Sequence, residues 1–171
     1  PGMECRESES VPGAQAQHVW HEYHGHQYAL SLSQKPWLEN EAEAVGVGGH
    51  LVTINGADEN AWLASTFAGA YCHGYQGDIW GAAAQIGYYL NASSGRWEWV
   101  SGQSVTYTNV HSSFPYGGTH AYLHVAPHPW AGTWNANPQH TEPGCGNPTW
   151  GIIERETSGA LYFDDFDGGS L

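Results

Sequence analysis

The run that most constrains this chain is Gly48-Gly49-His50-Leu51-Val52-Thr53-Ile54-Asn55, followed by Glu59-Asn60-Ala61-Trp62-Leu63. The β-branched residues Val52, Thr53 and Ile54 favour extended backbone, and the glycines before them mark a chain break. Past Asn55 the period changes. Asp58 and Glu59 fall in a first helical turn, where carboxylates meet the positive end of the helix dipole, and Trp62, Leu63 and Phe67 recur at spacings that make one apolar face. Strand, turn and amphipathic helix thus follow one another in a single short run. Upstream, the acidic segment from Pro36 to Val47 carries Trp37, Ala42 and Ala44 and predicts another helix, opened by proline and closed by Gly46, Gly48 and Gly49. Gln27 to Leu32 alternates polar and apolar in its first half and predicts a first strand.

A chain of 171 residues fits one domain with a true hydrophobic core. Charged residues make up only 12% while aromatics reach 13% and glycines number 23, which suits a loop-rich fold anchored by aromatic rings rather than a helical bundle. Lysine and arginine total 4 against 17 acidic residues, a formal charge of -13, so a phosphate backbone or an anionic membrane surface would be repelled. No apolar run approaches the roughly 20 residues that span a bilayer. Residues 1–17, rich in Pro, Gly, Ser, Glu and Gln without periodicity, are expected to form a linker or flexible arm. The folded domain is expected over 18–158. Residues 159–171, with Leu161-Tyr162-Phe163 among acidic residues, are expected to be an extension or the start of a following module of a larger secreted protein. From Val110 to Asn147 regular patterning fades into Pro, Gly, His, Asn and aromatics, the composition of a long functional loop.

Ordered blocks carry a family resemblance. With the Gly48 to Leu63 run stand Ile79-Trp80-Gly81-Ala82, similar to a Trp-Ile-Gly-Leu strand, and Gly95-Arg96-Trp97-Glu98-Trp99-Val100-Ser101-Gly102 with Tyr107-Thr108-Asn109, similar to the approach to a long loop. Gly132-Thr133-Trp134-Asn135 and Gly151-Ile152-Ile153-Glu154 resemble a "Trp-Asn-Asp" strand and a closing strand. In this order, from about Gly25 to Glu156, the chain resembles a C-type lectin-like domain. The resemblance implies an α+β fold with two helices, small antiparallel sheets closed by the first and last strands, and a long loop region. It also implies extracellular or cell-surface ligand binding. Animal members usually join the first helix to the last strand by a disulfide, but Ala44 and Ile153 stand there instead. Of Cys5, Cys72 and Cys145, a Cys72–Cys145 bridge and three thiols both remain open. The disulfide-poor pattern resembles the family's bacterial members.

In that family sugar binding commonly rests on calcium, held by a Glu-Pro-Asn or Gln-Pro-Asp triplet and by the "Trp-Asn-Asp" strand, and calcium needs about 6 to 8 oxygens. Here the triplet becomes Phe114-Pro115-Tyr116 and the strand Trp134-Asn135-Ala136, with Thr119-His120 where an acidic pair often stands. One asparagine cannot hold calcium, so the usual site is expected to be lost. Phe114, Tyr116, His120, Tyr122, Trp130 and Asn135 remain as candidate ligand-binding residues, their flat rings suited to stacking on sugars or on a surface. Trp134 is expected in the core. A second, structural calcium is implied by the resemblance between Glu59 and Glu154, the alternative being two exposed carboxylates.

The 11 histidines form two clusters, His18, His21, His24 and His26 before the fold and His120, His124 and His128 in the loop region. They are expected to be solvated rather than metal-bound, since Pro127 and Pro129 break the helix that would align His124 with His128. No catalytic motif stands in the chain, and no enzyme is expected. The expected function is a carbohydrate-binding or adhesion module that uses the long loop. The alternative is a protein- or surface-binding domain of a larger adhesin, ice binding included.

Overall fold

In a computed structural model, residues 16–142 and 146–157 are described. The strands are β1 (His21–Tyr23), β2 (His26–Leu30), β3 (His50–Leu51), β4 (Ala83–Asn91), β5 (Arg96–Trp99), β6 (His120–His124), β7 (Trp134–Asn135) and β8 (Trp150–Glu156). The helices are α1 (Trp37–Gly46), α2 (Ala57–Thr66) and the single turn α3 (Pro138–Thr141). Both helices expected from the sequence form, and α3 is an addition.

The strands order as β1-β2-β8-β4-β6-β7, with β3 beside β8 and β5 beside β4. β2 and β8 pair antiparallel from His26↔Glu156 to Leu30↔Ile152, so the first and last strands close the fold. β8 also pairs parallel with β4 at Ala84↔Trp150 and Gln85↔Gly151, which makes the whole a mixed sheet.

Each helix docks through one stripe. Trp37, Asn40 and Ala44 of α1 are buried, spaced three and four residues apart. Asn40 Nδ2 donates to Gln85 Oε1 (2.6 Å), Lys35 O (3.0 Å) and Thr149 O (3.1 Å), tying α1 to β4 and to the approach of β8. From α2, Leu63 and Phe67 enter the core with Val52, Ile54, Ile86, Leu123 and Ile152, while Trp62 stacks on Tyr23 with ring centroids 4.5 Å apart.

Three expectations are corrected. The strand expected over Ile79–Ala82 is a 3-10 turn, capped by Asp78 Oδ1 accepting from Trp80 N at 3.0 Å, and Trp80 stands 57% exposed. The core strand is β4, where Gly87 N donates to Val52 O. A Cβ on Gly87 would lie 2.4 Å from Leu51 O, so no larger residue passes there unshifted. The patternless stretch from Val110 contains β6, whose Ala121, Tyr122, Leu123 and His124 are buried in succession; a strand covered on both faces shows no alternation. The first histidine cluster belongs to the fold: His21 lies on β1, His24 makes the hairpin turn at φ 49°, and His18 Nε2 contacts Glu43 Oε1 at 2.7 Å. Cys72 is buried, and the two other cysteines lie outside the described residues.

Candidate functional site

The long loop is pinned at both ends by amides. Asn60 and Asn109 both donate through Nδ2 to Gly132 O, at 2.7 and 2.8 Å. Trp134 Nε1 donates to Asn60 Oδ1, and Trp134 N donates to Asn109 O at 2.9 Å. These bonds join α2, the outgoing loop and β7, which leaves the segment between them to carry side chains outward.

The six candidate ligand-binding residues divide. Tyr116 is 64% exposed and Trp130 43%. Phe114 is half-buried, packed on Trp97 at 4.6 Å and on Tyr88. His120 is half-buried against Trp37 at 4.4 Å, and its Nδ1 contacts Glu142 Oε1 at 2.9 Å. Against burial, the hydrogen bonds with His120 and Thr119 hold the Glu142 carboxyl below the usual carboxylate range. Tyr122 and Asn135 are turned inward by the β6–β7 pairing, in which they are direct partners. Tyr122 packs with Cys72 and Ala83, out of reach of a ligand, and burial pushes its hydroxyl pKa up.

Asn135 carries the oxygen that a calcium site in the loop would require. Its Oδ1 accepts from Tyr116 N at 3.3 Å and from Ala136 N at 2.9 Å, while its Nδ2 donates to Ser113 Oγ at 2.9 Å. The side chain is thus a brace for the turn that presents Tyr116. With Phe114, Tyr116 and Ala136 offering no carboxylate or amide oxygen, this donor set does not fit calcium.

Two residues absent from the six complete an aromatic face. His111 stacks under Trp130 with centroids 4.1 Å apart, and Trp80 meets Trp130 nearly edge-on at 5.6 Å and 76°. His111 Nδ1 also bonds Ser113 Oγ at 2.8 Å, so a chain of contacts runs from Trp130 through His111, Ser113 and Asn135 to the backbone of Tyr116. For Trp80 the available signal was its place in a polar, glycine-rich turn, Gly77-Asp78-Ile79-Trp80-Gly81, where a large ring has no strand to bury it.

Beneath that face lies a buried histidine pair, contrary to the solvated histidines expected. His124 and His128 are each 5% exposed, with ring centroids 4.0 Å apart. His128 Nδ1 accepts from Trp130 N at 3.0 Å, whereas neither ring nitrogen of His124 has a hydrogen-bond partner among the described residues. Burial, reinforced by neighbouring His128, His111 and His140, pushes the His124 pKa down to about 3. An imidazole whose Nδ1 accepts a proton carries its hydrogen on Nε2 when neutral, which opposes metal ligation by His128. Among the described residues no group of three or more His, Cys, Asp or Glu is placed to hold a metal ion.

Glu59 and Glu154 do meet, in a cleft of about 400 Å³ shared with Tyr23, His26, Tyr28 and Asp58. All four carboxylate oxygens are committed. Tyr28 Oη donates to Glu59 Oε1 (2.7 Å), Asn55 N to Glu59 Oε2 (2.8 Å) and Thr53 N to Glu154 Oε2 (2.9 Å), while His26 Nδ1 faces Glu154 Oε1 at 2.9 Å. Burial and the nearby charges of Glu59 and Glu156 outweigh Thr53 N–H and His26 and push the Glu154 pKa up to about 7. Calcium takes about 6 to 8 oxygens, so these two carboxylates would supply part of such a set.

The β2–β8 closure, the two docked helices and the loop pinned between α2 and β7 make a C-type lectin-like fold. No protein-family model matches the chain. It is 31% identical over 83 residues to C-type lectin domain family 4 member F of mouse, which covers 48% of this chain and 13% of that protein. It is 29% identical over 97 residues to a perlucin-like protein of the mussel Mytilus galloprovincialis, covering 56% of this chain and 58% of that one. The match therefore spans less than two thirds of either relative, and both are animal proteins. Among solved structures, the carbohydrate-recognition domain of the mouse scavenger receptor C-type lectin superposes with TM-score 0.61 at 23% identity, covering 80% of this chain and 93% of that one. A calcium-independent type II antifreeze protein superposes with TM-score 0.59 at 18% identity, covering 84% and 98%.

Proposed function

We propose that this chain is an extracellular recognition module that binds glycan without calcium, through the aromatic face formed by Trp80, Trp130, His111 and Tyr116. The observation that carries the reading is the commitment of Asn135 Oδ1 to two backbone amides beside two exposed aromatic rings. A flat indole held by stacking from below offers area for the apolar face of a sugar ring at little conformational cost. The similarity to a carbohydrate-recognition domain supports glycan as the ligand class. The cleft between Glu59 and Glu154 acts in this reading as an internal brace. The partial span of the relatives supports a place within a larger secreted or surface protein, as an adhesion or targeting unit.

A glycan array read in calcium and again in chelator tests this. Binding that persists in chelator and disappears in Trp130→Ala is expected; binding that vanishes with chelator would overturn the calcium-free reading. A second reading, attachment to a protein or solid surface such as ice, is favoured by one observation. Ile79, Trp80, Val110 and Trp130 are all at least 42% exposed, and exposed apolar side chains gathered into a patch suit a protein or solid surface. The likeness to an antifreeze protein is consistent with it. Absence of binding to every glycan, together with thermal hysteresis in ice-growth assays, would establish it.

A further inference from the structure

We propose that Asn91 is an acceptor for an N-linked glycan. Of the eight asparagines in the chain, Asn91 alone opens an Asn-x-Ser/Thr triplet without proline in the middle, in Asn91-Ala92-Ser93. Asn147-Pro148-Thr149 has the outer residues but carries proline between them, and Thr149 is fully buried with its hydroxyl donating to Ala83 O. The fold thus contains one acceptor triplet and one internal control.

The position suits the modification. Asn91 ends β4, and residues 92–95 form the exposed turn into β5, with Arg96 exposed after it. Asn91 Oδ1 accepts from Ser93 N at 2.9 Å, which fixes the amide plane against the turn. Asn91 Nδ2 donates to Glu98 Oε2 at 3.0 Å. A primary amide has two hydrogens and a glycosylated amide one, so the product retains a hydrogen for Glu98. In the transfer, a bond forms between Asn91 Nδ2 and the anomeric carbon of a lipid-pyrophosphate-linked oligosaccharide. The bond from that carbon to the pyrophosphate oxygen breaks, and the amide proton leaves to the pyrophosphate.

Placement also keeps a glycan clear of the paired indoles Trp80 and Trp130. Ala83, at the other end of β4, pairs with His124, whose ring lies 5.9 Å from Trp130, and follows Trp80 by three residues. Nine residues of strand put roughly 25 Å between that end and Asn91. The two indoles and the site of glycan attachment therefore occupy opposite ends of one strand.

The test is secretion of the full chain from a eukaryotic cell line, followed by gel mobility and intact mass before and after treatment with an amidase specific for N-linked glycans. One glycan's mass is expected on the wild-type chain, removed by the amidase with conversion of Asn91 to aspartate. Asn91→Gln and Ser93→Ala should each lose it, and Asn147→Gln should keep it. Should Asn91→Gln fail to be secreted, Ser93→Ala, which leaves the Asn91 contacts intact, decides the matter. A secreted wild-type chain without the added mass, or added mass that survives both substitutions, overturns the proposal. None of these readouts depends on what the aromatic face binds, so failure here leaves the glycan-recognition reading untouched.

Discussion

Trp134 and Asn60 hold each other in the interior: the indole Nε1 donates to Asn60 Oδ1 at 2.7 Å, and Asn60 Nδ2 passes the bond on to Gly132 O. Trp134 is fully buried and Asn60 is 3% exposed, so neither group has water as an alternative partner. Asn60→Ala should lower the unfolding free energy by about 2–3 kcal/mol, the cost of a buried indole N–H left unpaired together with a lost bond to a backbone carbonyl. Urea unfolding followed by tryptophan fluorescence measures it. A loss below about 0.5 kcal/mol would mean that water enters to replace the amide.

Gly87→Ala should cost about 2–3 kcal/mol through overpacking, because the new methyl group meets Leu51 O at 2.4 Å and Val52 O at 3.0 Å. Thermal unfolding of the variant against wild type reads the effect, and an unchanged midpoint would show that β3 can withdraw from β4.

Acid should weaken this fold in a defined window. The His124 pKa is about 3 when folded against an ordinary value of 6.5, so the unfolded chain binds its proton first. The stability linked to this histidine is fully present above pH 6.5 and declines as pH falls from 6.5 toward 3. His124→Leu removes both the unpaired nitrogens and the titration. Its unfolding free energy should exceed that of wild type at pH 5 by a larger margin than at pH 8. Equal margins at the two pH values would show that His124 is hydrated in solution.

Trp130→Ala and Trp80→Ala should leave stability within about 0.5–1 kcal/mol of wild type, both rings being largely on the surface, yet reduce affinity for the bound glycan tenfold or more. Equilibrium binding on the strongest array ligand checks this. Full affinity in both variants would move the contact surface away from this face.

The parts of the fold legible in the sequence were those fixed by local chemistry. Pro36 and the acidic first turn at Asp58 and Glu59 determine backbone shape within a few residues, and α1 and α2 lie where those signals put them. The strand expected over Leu51–Ile54 is shorter: β3 takes only His50–Leu51, and Val52 beyond it donates to Ile152 O and accepts from Gly87 N. What escaped depends on partners distant in sequence. β6 is covered on both faces, so its residues lack a period. The likeness of Ile79-Trp80-Gly81-Ala82 to a Trp-Ile-Gly-Leu strand drew the strand assignment there, whereas the constraint on the core strand is Gly87 passing the Leu51 carbonyl. At the site, the replacement of oxygen-bearing residues by Phe114, Tyr116 and Ala136 was readable directly. The inward turn of Tyr122 and Asn135 was not, since it follows from the β6–β7 register, and the burial of His124 and His128 follows from loops folding over them.

The pairing of His26 with Glu156, continued by Thr157 N donating to Gly25 O, gives the domain a polarity. Because β4 and β8 run parallel, the end of β8 that meets β2 points the same way as Asn91, while Trp150 lies beside Ala84 toward Trp80. Chain leaving β8 therefore departs at one pole, whereas the incoming segment 16–20 lies by Leu30, Ser31 and Leu32 toward the other, because the β1–β2 hairpin reverses direction at His24 and Gly25. Tension applied through the flanking chain would thus run along the length of the closing strands, shearing β2 against β8 rather than peeling them apart from one corner.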